Sequence, residues 1–196
     1  VSEPFVRVVL TLSSHEPFDV PMDPVFSGSD SYTKFRNSVY YADKALGDFL
    51  DWSKTQEWWE RTLVVLVADH YRRNSGDYLV YSESIFRIPM LWLGGAMDTC
   101  NVRIEKIASQ VDIAPTVLHQ LGLKDDFPFS KDILSPDSRS FAFYTYNEGF
   151  GFITDSSKYI YDHKSKTGVL SEGQWIPAME SGKAYLQVLY DDFLKR

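Results

Sequence analysis

The sequence predicts an α/β fold, with a mostly parallel sheet flanked by helices and a small antiparallel sheet near the C-terminus. The continuous apolar run Thr62–Ala68 is typical of a strand that is buried on both faces, as in a parallel sheet between helices. In the first two thirds of the chain the predicted order is strand, helix, strand, strand, helix, which favours an α/β arrangement. In the last third, apolar residues recur with period two, which is typical of antiparallel strands.

Composition is that of an ordinary globular protein, with 44% hydrophobic and 24% charged residues among 196. We therefore expect a single domain, 1–196, with an α/β core over 1–135 and an antiparallel meander plus a closing helix over 136–196. The net charge of −7 offers no basic face for phosphates, so we expect no nucleic-acid partner. Cys100 is the single cysteine of the sequence, which excludes an internal disulfide.

The first half of the chain predicts a strand, a long loop and a helix. Phe5–Leu12 is rich in β-branched residues and predicts a strand that ends in a polar loop. Prolines, a glycine and small polar residues predict an irregular loop over 17–31. Apolar residues at helical spacing then predict a helix over Tyr32–Thr55, capped by Asp30 or Ser31.

The remaining elements follow the same two periodicities. Arg87–Leu93 predicts a strand, and Ile104–Leu121 predicts a helix that is broken or kinked at Pro115, because proline has no backbone N–H to donate. Gly122 is a suitable residue to end this helix. The meander and the closing amphipathic helix are predicted over Phe141–Tyr146, Gly151–Thr154, Tyr159–Asp162 and Pro177–Leu194.

Two residues with metal-binding side chains follow the apolar run directly. Asp69 and His70 lie where open α/β sheets bind their ligands, just beyond the carboxyl end of a strand. A carboxylate and an imidazole together suit manganese or zinc. The alternative is that Asp69 caps the next segment and that His70 is an ordinary loop histidine. His15 follows its own predicted strand in the same way, so neighbouring strands could bring both histidines to one sheet edge.

Other polar and aromatic residues have simpler interpretations. His119 falls in a predicted helix, where a surface or packed histidine is expected, and His163 lies in a turn beside two lysines. The segment Arg72–Gly76 predicts a polar loop after His70. The aromatic content of 15% is expected mainly in the core, with an aromatic-lined cleft for a sugar or a lipid headgroup as the alternative.

Three segments resemble one known family. They are Thr11–Phe18, the stretch from Asn37–Gly47 to Leu66–Tyr71, and Ser109–Leu118. In order and spacing they are similar to the C-terminal half of the catalytic domain in the lipoteichoic-acid synthase and phosphoglycerol transferase branch of the sulfatase/alkaline-phosphatase superfamily. The resemblance covers roughly 6–123 and implies an alkaline-phosphatase-like fold, of which this chain would form a part.

The resemblance also implies roles for individual residues. Asp69 and His70 match a metal-binding pair, and His15 matches a histidine that contacts the substrate phosphate or the leaving group. In that family the threonine or serine nucleophile and one acidic ligand come from the N-terminal half, which implies that no catalytic nucleophile lies in this chain. The implied cofactor is a divalent metal ion, manganese or zinc, with magnesium or calcium as alternatives.

Two hypotheses on function follow. In the first, the chain is the C-terminal half of a metal-dependent phosphoglycerol- or phosphoethanolamine-type transferase, or of a phosphodiester or sulfate-ester hydrolase, and is inactive as a fragment. Its partners would be phosphate- or sulfate-ester substrates, including lipid or glycan headgroups. The whole protein would act outside the cytoplasm, anchored in a membrane by an N-terminal region. In the second, the chain is a non-catalytic glycan- or headgroup-binding module derived from the same fold.

Overall fold

A computed structural model describes residues 4–72 and 79–196 of the chain. By contacts, the chain divides into a first unit, Val1–Leu66 with Leu91–Asp98, and a second unit, Val67–Met90 with Thr99–Arg196. The predicted boundary between 135 and 136 stays a prediction. The helices are Ser31–Ser53 (α1), Ile113–Gln120 (α2) and Trp175–Phe193 (α3), and the strands are Val64–Val67 (β1), Met90–Leu93 (β2), Phe141–Tyr146 (β3), Gly149–Thr154 (β4), Ser157–Asp162 (β5) and Thr167–Gly173 (β6).

The helix α1 begins at the predicted cap. Thr33 N donates to Asp30 Oδ1 at 3.0 Å and Thr33 Oγ1 donates to Asp30 Oδ2 at 2.6 Å. These hydrogen bonds hold the pKa of Asp30 below its usual value. One turn further on, the buried Asn37 Oδ1 accepts from Val25 N and Phe26 N, each at 2.9 Å, and so fixes the preceding loop to the helix. The predicted helix and its Asp30 cap are confirmed.

The N-terminal segment Phe5–Leu12 does not form the predicted strand. It has no regular secondary structure, and Val6, Val8 and Leu10 are 83%, 84% and 80% exposed. A strand needs a neighbour to pair its backbone N–H and C=O groups, and no strand among the described residues pairs with this segment. The prediction of a buried strand is wrong in this structure, because β-branched composition favours an extended backbone but supplies no partner for it.

The strands β1 and β2 pair with each other in a two-stranded sheet. Hydrogen bonds from Ala68 N to Pro89 O at 3.3 Å and from Ala96 N to Thr62 O at 3.4 Å flank the pair, and their order shows that the strands run antiparallel. The β1 side chains are half-buried or exposed rather than buried on both faces. The parallel pairing predicted for this run therefore has no counterpart among the described strands.

The helix α2 begins later than predicted. A 3-10 turn over Gln110–Asp112 leads directly into it, and residues 104–109 are not helical. Pro115 falls in the first turn of α2, where a backbone N–H has no intrahelical acceptor to lose. The predicted break at Pro115 is therefore wrong, and the helix runs through it. Gly122 follows the helix with a φ of 68°, the left-handed conformation that glycine favours at such an end.

Residues after 140 form the predicted meander and closing helix, with β6 as an additional strand. The four strands β3 to β6 pair antiparallel in chain order, and Phe152 in β4 lies opposite Tyr159 in β5. Helix α3 packs on β4 and β5, where its Ala178 joins Phe150, Phe152 and Tyr159 in the buried core. Gly182 permits this close approach, since a Cβ there would lie 2.5 Å from a ring carbon of Phe150.

Candidate functional site

The strand β1 ends two residues before Asp69, so Asp69 and His70 lie in the turn that follows it. Their side chains are adjacent, with Asp69 Oδ2 and His70 Nε2 3.4 Å apart. Both side chains are open to solvent, at 75% exposure for Asp69 and 77% for His70. We refer to these two residues as the Asp69–His70 pair.

The turn orients the imidazole ring of His70. His70 Nδ1 lies 2.9 Å from Tyr71 O, and because a carbonyl oxygen can only accept a hydrogen bond, Nδ1 carries the proton. In the neutral ring the lone pair is therefore on Nε2, the atom nearest Asp69 Oδ2. The other carboxylate oxygen, Asp69 Oδ1, accepts from His70 N at 2.8 Å. With the neutral ring, the pair thus offers one nitrogen lone pair and one carboxylate oxygen side by side.

These two donor atoms suit a divalent metal ion. Zinc bonds to imidazole nitrogen and carboxylate oxygen are about 2.0–2.2 Å long, so two ligands of one tetrahedral ion are about 3.4 Å apart. The observed separation of 3.4 Å agrees with that value. Over 4–72 and 79–196, no three or more His, Cys, Asp or Glu side chains gather so that they could hold an ion. The pair therefore offers two ligands, whereas a tight site normally has about three or four from the protein.

His15 lies in the first unit, in an exposed loop after the N-terminal apolar segment. Its Nδ1 is 2.9 Å from Glu16 O, the same contact with the following carbonyl that His70 makes. By the same reasoning, Nε2 of a neutral His15 carries the lone pair. The pair and His15 belong to different units, and the prediction that they share one site stays a prediction. Of the predicted polar loop after His70, residues 73–76 lie outside the described residues.

A side chain distant in sequence binds the backbone of the turn. Gln110 Nε2 donates to Ala68 O at 2.8 Å and to Asp69 O at 2.9 Å. Gln110 lies within one of the segments that carry the family resemblance, yet sequence reasoning assigns it no role. The sequence shows that Gln110 has a side-chain amide, which can donate two hydrogen bonds at once. It does not show which carbonyl groups accept them, because these lie far away in the chain.

The buried Asp112 anchors the 3-10 turn from which Gln110 extends. Asp112 Oδ2 accepts from Ser109 N at 2.8 Å and from Lys131 Nζ at 2.7 Å, while Oδ1 accepts from Lys131 N at 2.9 Å. Lys131 Nζ also donates to Phe141 O in β3 at 2.9 Å. Because the carboxylate has a cationic partner and two backbone donors, its burial is compensated. Asp112 therefore serves the structure rather than the chemistry of the site.

The two other histidines have structural surroundings. His119, near the end of α2, has Nε2 2.6 Å from Asp125 Oδ2 and Nδ1 3.2 Å from Asp132 Oδ2. This contact confirms the expected role of a packed histidine. His163 lies in the turn between β5 and β6, exposed, with its ring 5.4 Å from that of Tyr161.

The second unit also contains a cavity of about 700 Å³. The rings of Tyr81 and Tyr146 in its wall are 6.1 Å apart, and burial raises the pKa of Tyr146 to about 12. Asp69 and His70 do not line this cavity. Its lining combines aromatic with acidic side chains, including Tyr81, Phe86, Tyr146, Glu148 and Asp162.

Comparison with known proteins identifies the family. The Sulfatase family model matches residues 1–123, which is more than half of the chain, and the chain therefore belongs to the sulfatase family. It is 29% identical over 195 residues to the lipoteichoic acid synthase-like protein YvgJ of Bacillus subtilis, with 88% of this chain and 31% of that protein covered. It is 26% identical over 157 residues to lipoteichoic acid synthase 2 of the same species, with 70% and 24% covered. These relatives confirm the branch that the three segments resemble.

Two solved structures have the same fold. An alkaline phosphatase superfamily protein from Vibrio parahaemolyticus matches with a TM-score of 0.67 and 28% identity, over 92% of this chain and 48% of that chain. The lipoteichoic acid synthase LtaP from Listeria monocytogenes matches with a TM-score of 0.73 and 24% identity, over 95% and 53%. The alkaline-phosphatase-like fold is therefore confirmed. The chain spans less than a third of these curated relatives and about half of these structures.

Proposed function

We propose that this chain contributes metal ligands and a substrate-binding histidine to a metal-dependent phosphoglycerol- or phosphoethanolamine-type transferase, or to a phosphodiester or sulfate-ester hydrolase. The observation that carries the proposal is the Asp69–His70 pair, whose Oδ2 and Nε2 atoms are 3.4 Å apart in a solvent-open turn. Further support comes from the sulfatase family, which generally uses a divalent metal ion, and from relatives named lipoteichoic acid synthases. Manganese or zinc suits the donor set, with magnesium or calcium as alternatives.

Each proposed residue would act through a different atom. A bound ion would lower the pKa of an attacking hydroxyl and polarise the phosphate or sulfate ester. Asp69 would hold the ion through Oδ2, and His70 through Nε2, which carries the lone pair of the neutral ring because Nδ1 donates to Tyr71 O. A protonated His15 would donate its Nε2–H to an ester oxygen or to the leaving oxygen. The substrate would be a phosphate or sulfate ester, with a lipid or glycan headgroup.

We also propose that the nucleophile and the remaining ligands come from outside these 196 residues. The chain covers 48% and 53% of the two structural neighbours, so about half of each has no counterpart here. The whole protein is proposed to act outside the cytoplasm and to be anchored by an N-terminal region. Within 4–72 and 79–196, no helix has both the length and the apolar character to cross a membrane.

Paramagnetic Mn²⁺ tests the pair, since it broadens the NMR signals of nearby nuclei even when it binds weakly. In the 196-residue chain we expect Mn²⁺ to broaden the signals of Asp69 and His70 first, and the Asp69→Ala and His70→Ala variants to lose this effect. Asp126→Ala, which removes another exposed carboxylate, should leave it unchanged. Broadening that is uniform along the chain, or that persists in both site variants, would refute the metal role.

Turnover tests the position of the nucleophile. With Mn²⁺ or Zn²⁺ present, the chain alone should not cleave a nitrophenyl phosphodiester, because the proposed nucleophile is outside it. Robust cleavage that disappears in His70→Ala would show instead that the site is complete within these residues.

The aromatic cavity favours a second candidate function, non-catalytic binding of a glycan or a lipid headgroup. Tyrosine rings can pack against the apolar face of a sugar while carboxylates accept hydrogen bonds from its hydroxyl groups. Maltose is a simple probe, and binding should shift the NMR signals of Tyr81 and Tyr146. A Tyr146→Leu variant should lose these shifts, and their absence in the wild-type chain would exclude this candidate for the class of neutral glucans.

A further inference from the structure

The polar contacts of the Asp69–His70 pair are mostly local. Asp69 Oδ1 accepts from His70 N, and His70 Nδ1 contacts Tyr71 O, so both contacts join neighbours in sequence. Within the described part of the chain, a side chain from a distant segment, that of Gln110, also donates hydrogen bonds to this turn. A contact of this kind can restrain the backbone that carries the pair.

The Gln110 amide binds two consecutive carbonyl groups. Its Nε2 lies 2.8 Å from Ala68 O and 2.9 Å from Asp69 O. The two N–H groups of a primary amide can satisfy both acceptors at once. These carbonyls belong to the peptide groups on either side of the Asp69 Cα, so the contact restrains the backbone on both sides of one proposed ligand. The second of these peptides leads directly into His70.

The backbone that carries Gln110 is itself held firmly. Asp112, two residues further on, is 1% exposed and accepts hydrogen bonds from Ser109 N at 2.8 Å and from Lys131 Nζ at 2.7 Å. Lys131 is in turn bonded to Phe141 O in the first strand of the meander at 2.9 Å. A buried ion pair of this kind keeps its geometry, because separating the partners would leave a charge without compensation. The backbone segment that carries Gln110 is therefore held in place.

We propose that Gln110 is a positioning residue that holds Asp69 Oδ2 and His70 Nε2 side by side for a metal ion. This inference rests on the proposed function, because it assigns Gln110 to the same metal pair. Groups that orient metal ligands from outside the coordination sphere typically change affinity by about 10–100-fold when they are removed. The amide nitrogen of Gln110 is used on the backbone, so the role proposed for this residue is to restrain the turn.

Variants that differ in hydrogen-bond donors test this role. Gln110→Met keeps the length of the side chain but removes both donors, whereas Gln110→Lys restores donors at a similar reach. We expect the apparent affinity for Mn²⁺, measured by broadening of the His70 signals, to fall about 10-fold in Gln110→Met and to recover in part in Gln110→Lys. Gln120→Met, at the exposed end of α2, is the matched control and should keep the wild-type affinity.

Amide hydrogen exchange in the metal-free chain supplies an independent readout. Gln110→Met should speed exchange at Asp69 and His70 while the denaturation midpoint of the chain stays at the wild-type value. Unchanged Mn²⁺ affinity together with unchanged exchange would overturn the proposal. If wild-type chain binds no Mn²⁺, the metal role fails, and exchange alone then decides whether Gln110 positions the turn. Gln110→Glu, which has the same shape but lacks the amide donors, replaces Gln110→Met if that variant does not fold.

Discussion

Two pairs of polar side chains in the second unit differ sharply in burial. The side chains of Asp69 and His70 are 75% and 77% exposed, whereas those of Asp112 and Lys131 are 2% and 11% exposed. The buried carboxylate accepts hydrogen bonds from three donors, and the exposed one accepts from the next residue. A buried charge is tolerated when its hydrogen-bonding capacity is used, whereas an exposed pair retains lone pairs for a ligand. The first kind of pair stabilises the fold, and the second is available for chemistry.

The largest expected effect comes from breaking the buried pair. Asp112→Ala leaves the Lys131 ammonium buried without its partner, and we expect the free energy of unfolding to fall by about 3–5 kcal/mol. Urea denaturation followed by circular dichroism measures this loss. Asp126→Ala, at an exposed position, should change the same quantity by less than about 0.5 kcal/mol. Equal losses of stability in the two variants would mean that burial does not make Asp112 more important for stability than Asp126.

Removal of a buried hydrogen bond between neutral groups should lower the free energy of unfolding by a smaller amount. Thr116 is fully buried, and its Oγ1 accepts from Ile133 N at 2.9 Å and donates to Asp112 O at 2.6 Å. Thr116→Val keeps the shape but leaves Ile133 N without an acceptor, so we expect a loss of about 1–3 kcal/mol in the same denaturation experiment. Thr145→Val, on an exposed strand position, is the matched control. A loss as large as that of Asp112→Ala would contradict this ranking.

A partly exposed ion pair should contribute less again. Lys158 Nζ lies 2.8 Å from Glu83 Oε1, and the two side chains are 33% and 38% exposed. Lys158→Ala should lower the free energy of unfolding by no more than about 1 kcal/mol in the same denaturation experiment. This loss should be smaller in about 1 M salt, because dissolved ions screen such pairs.

The same pair gives a pH dependence with a definite sign. The hydrogen bond to Glu83 raises the pKa of Lys158 above its ordinary value of 10.5. A raised pKa in the folded state means that the contribution is fully present below about pH 10 and is lost as pH rises through the folded pKa. The difference in unfolding free energy between wild type and Lys158→Ala should therefore narrow above pH 10.5. A difference that grows there would contradict the assignment.

The smallest expected effect on stability comes from the exposed pair. His70→Ala should change the free energy of unfolding by less than about 0.5 kcal/mol, because the imidazole is largely in solvent. The same variant is expected to lose Mn²⁺ binding, so this substitution should remove binding while leaving stability almost unchanged. A stability loss above about 1 kcal/mol would indicate a structural role for His70 and remove the contrast with Asp112.

Local patterns in the sequence are sufficient to predict those structural elements whose formation depends on residues close together in the chain. The Asp30 cap, the helix α1, the antiparallel meander and the closing helix were predicted from spacing, because capping and hairpin pairing involve residues a few positions apart. The position of Asp69 and His70 just after a strand was also predicted from the end of an apolar run. The resemblance identified the family, and its assignments of metal and substrate roles to these residues and to His15 stay predictions.

The tertiary structure determines which groups that are distant in sequence come into contact. Gln110 and Asp69 are 41 residues apart, and Lys131 and Asp112 are 19 apart, so neither contact follows from a periodicity of two or 3.6 residues. The same reason explains the error at Phe5–Leu12, where composition favours an extended backbone but the strand lacks a partner among the described residues. Sequence determines which backbone conformation a segment prefers locally. Whether a polar group is buried, paired or left open for a ligand depends on segments that only the folded chain brings together.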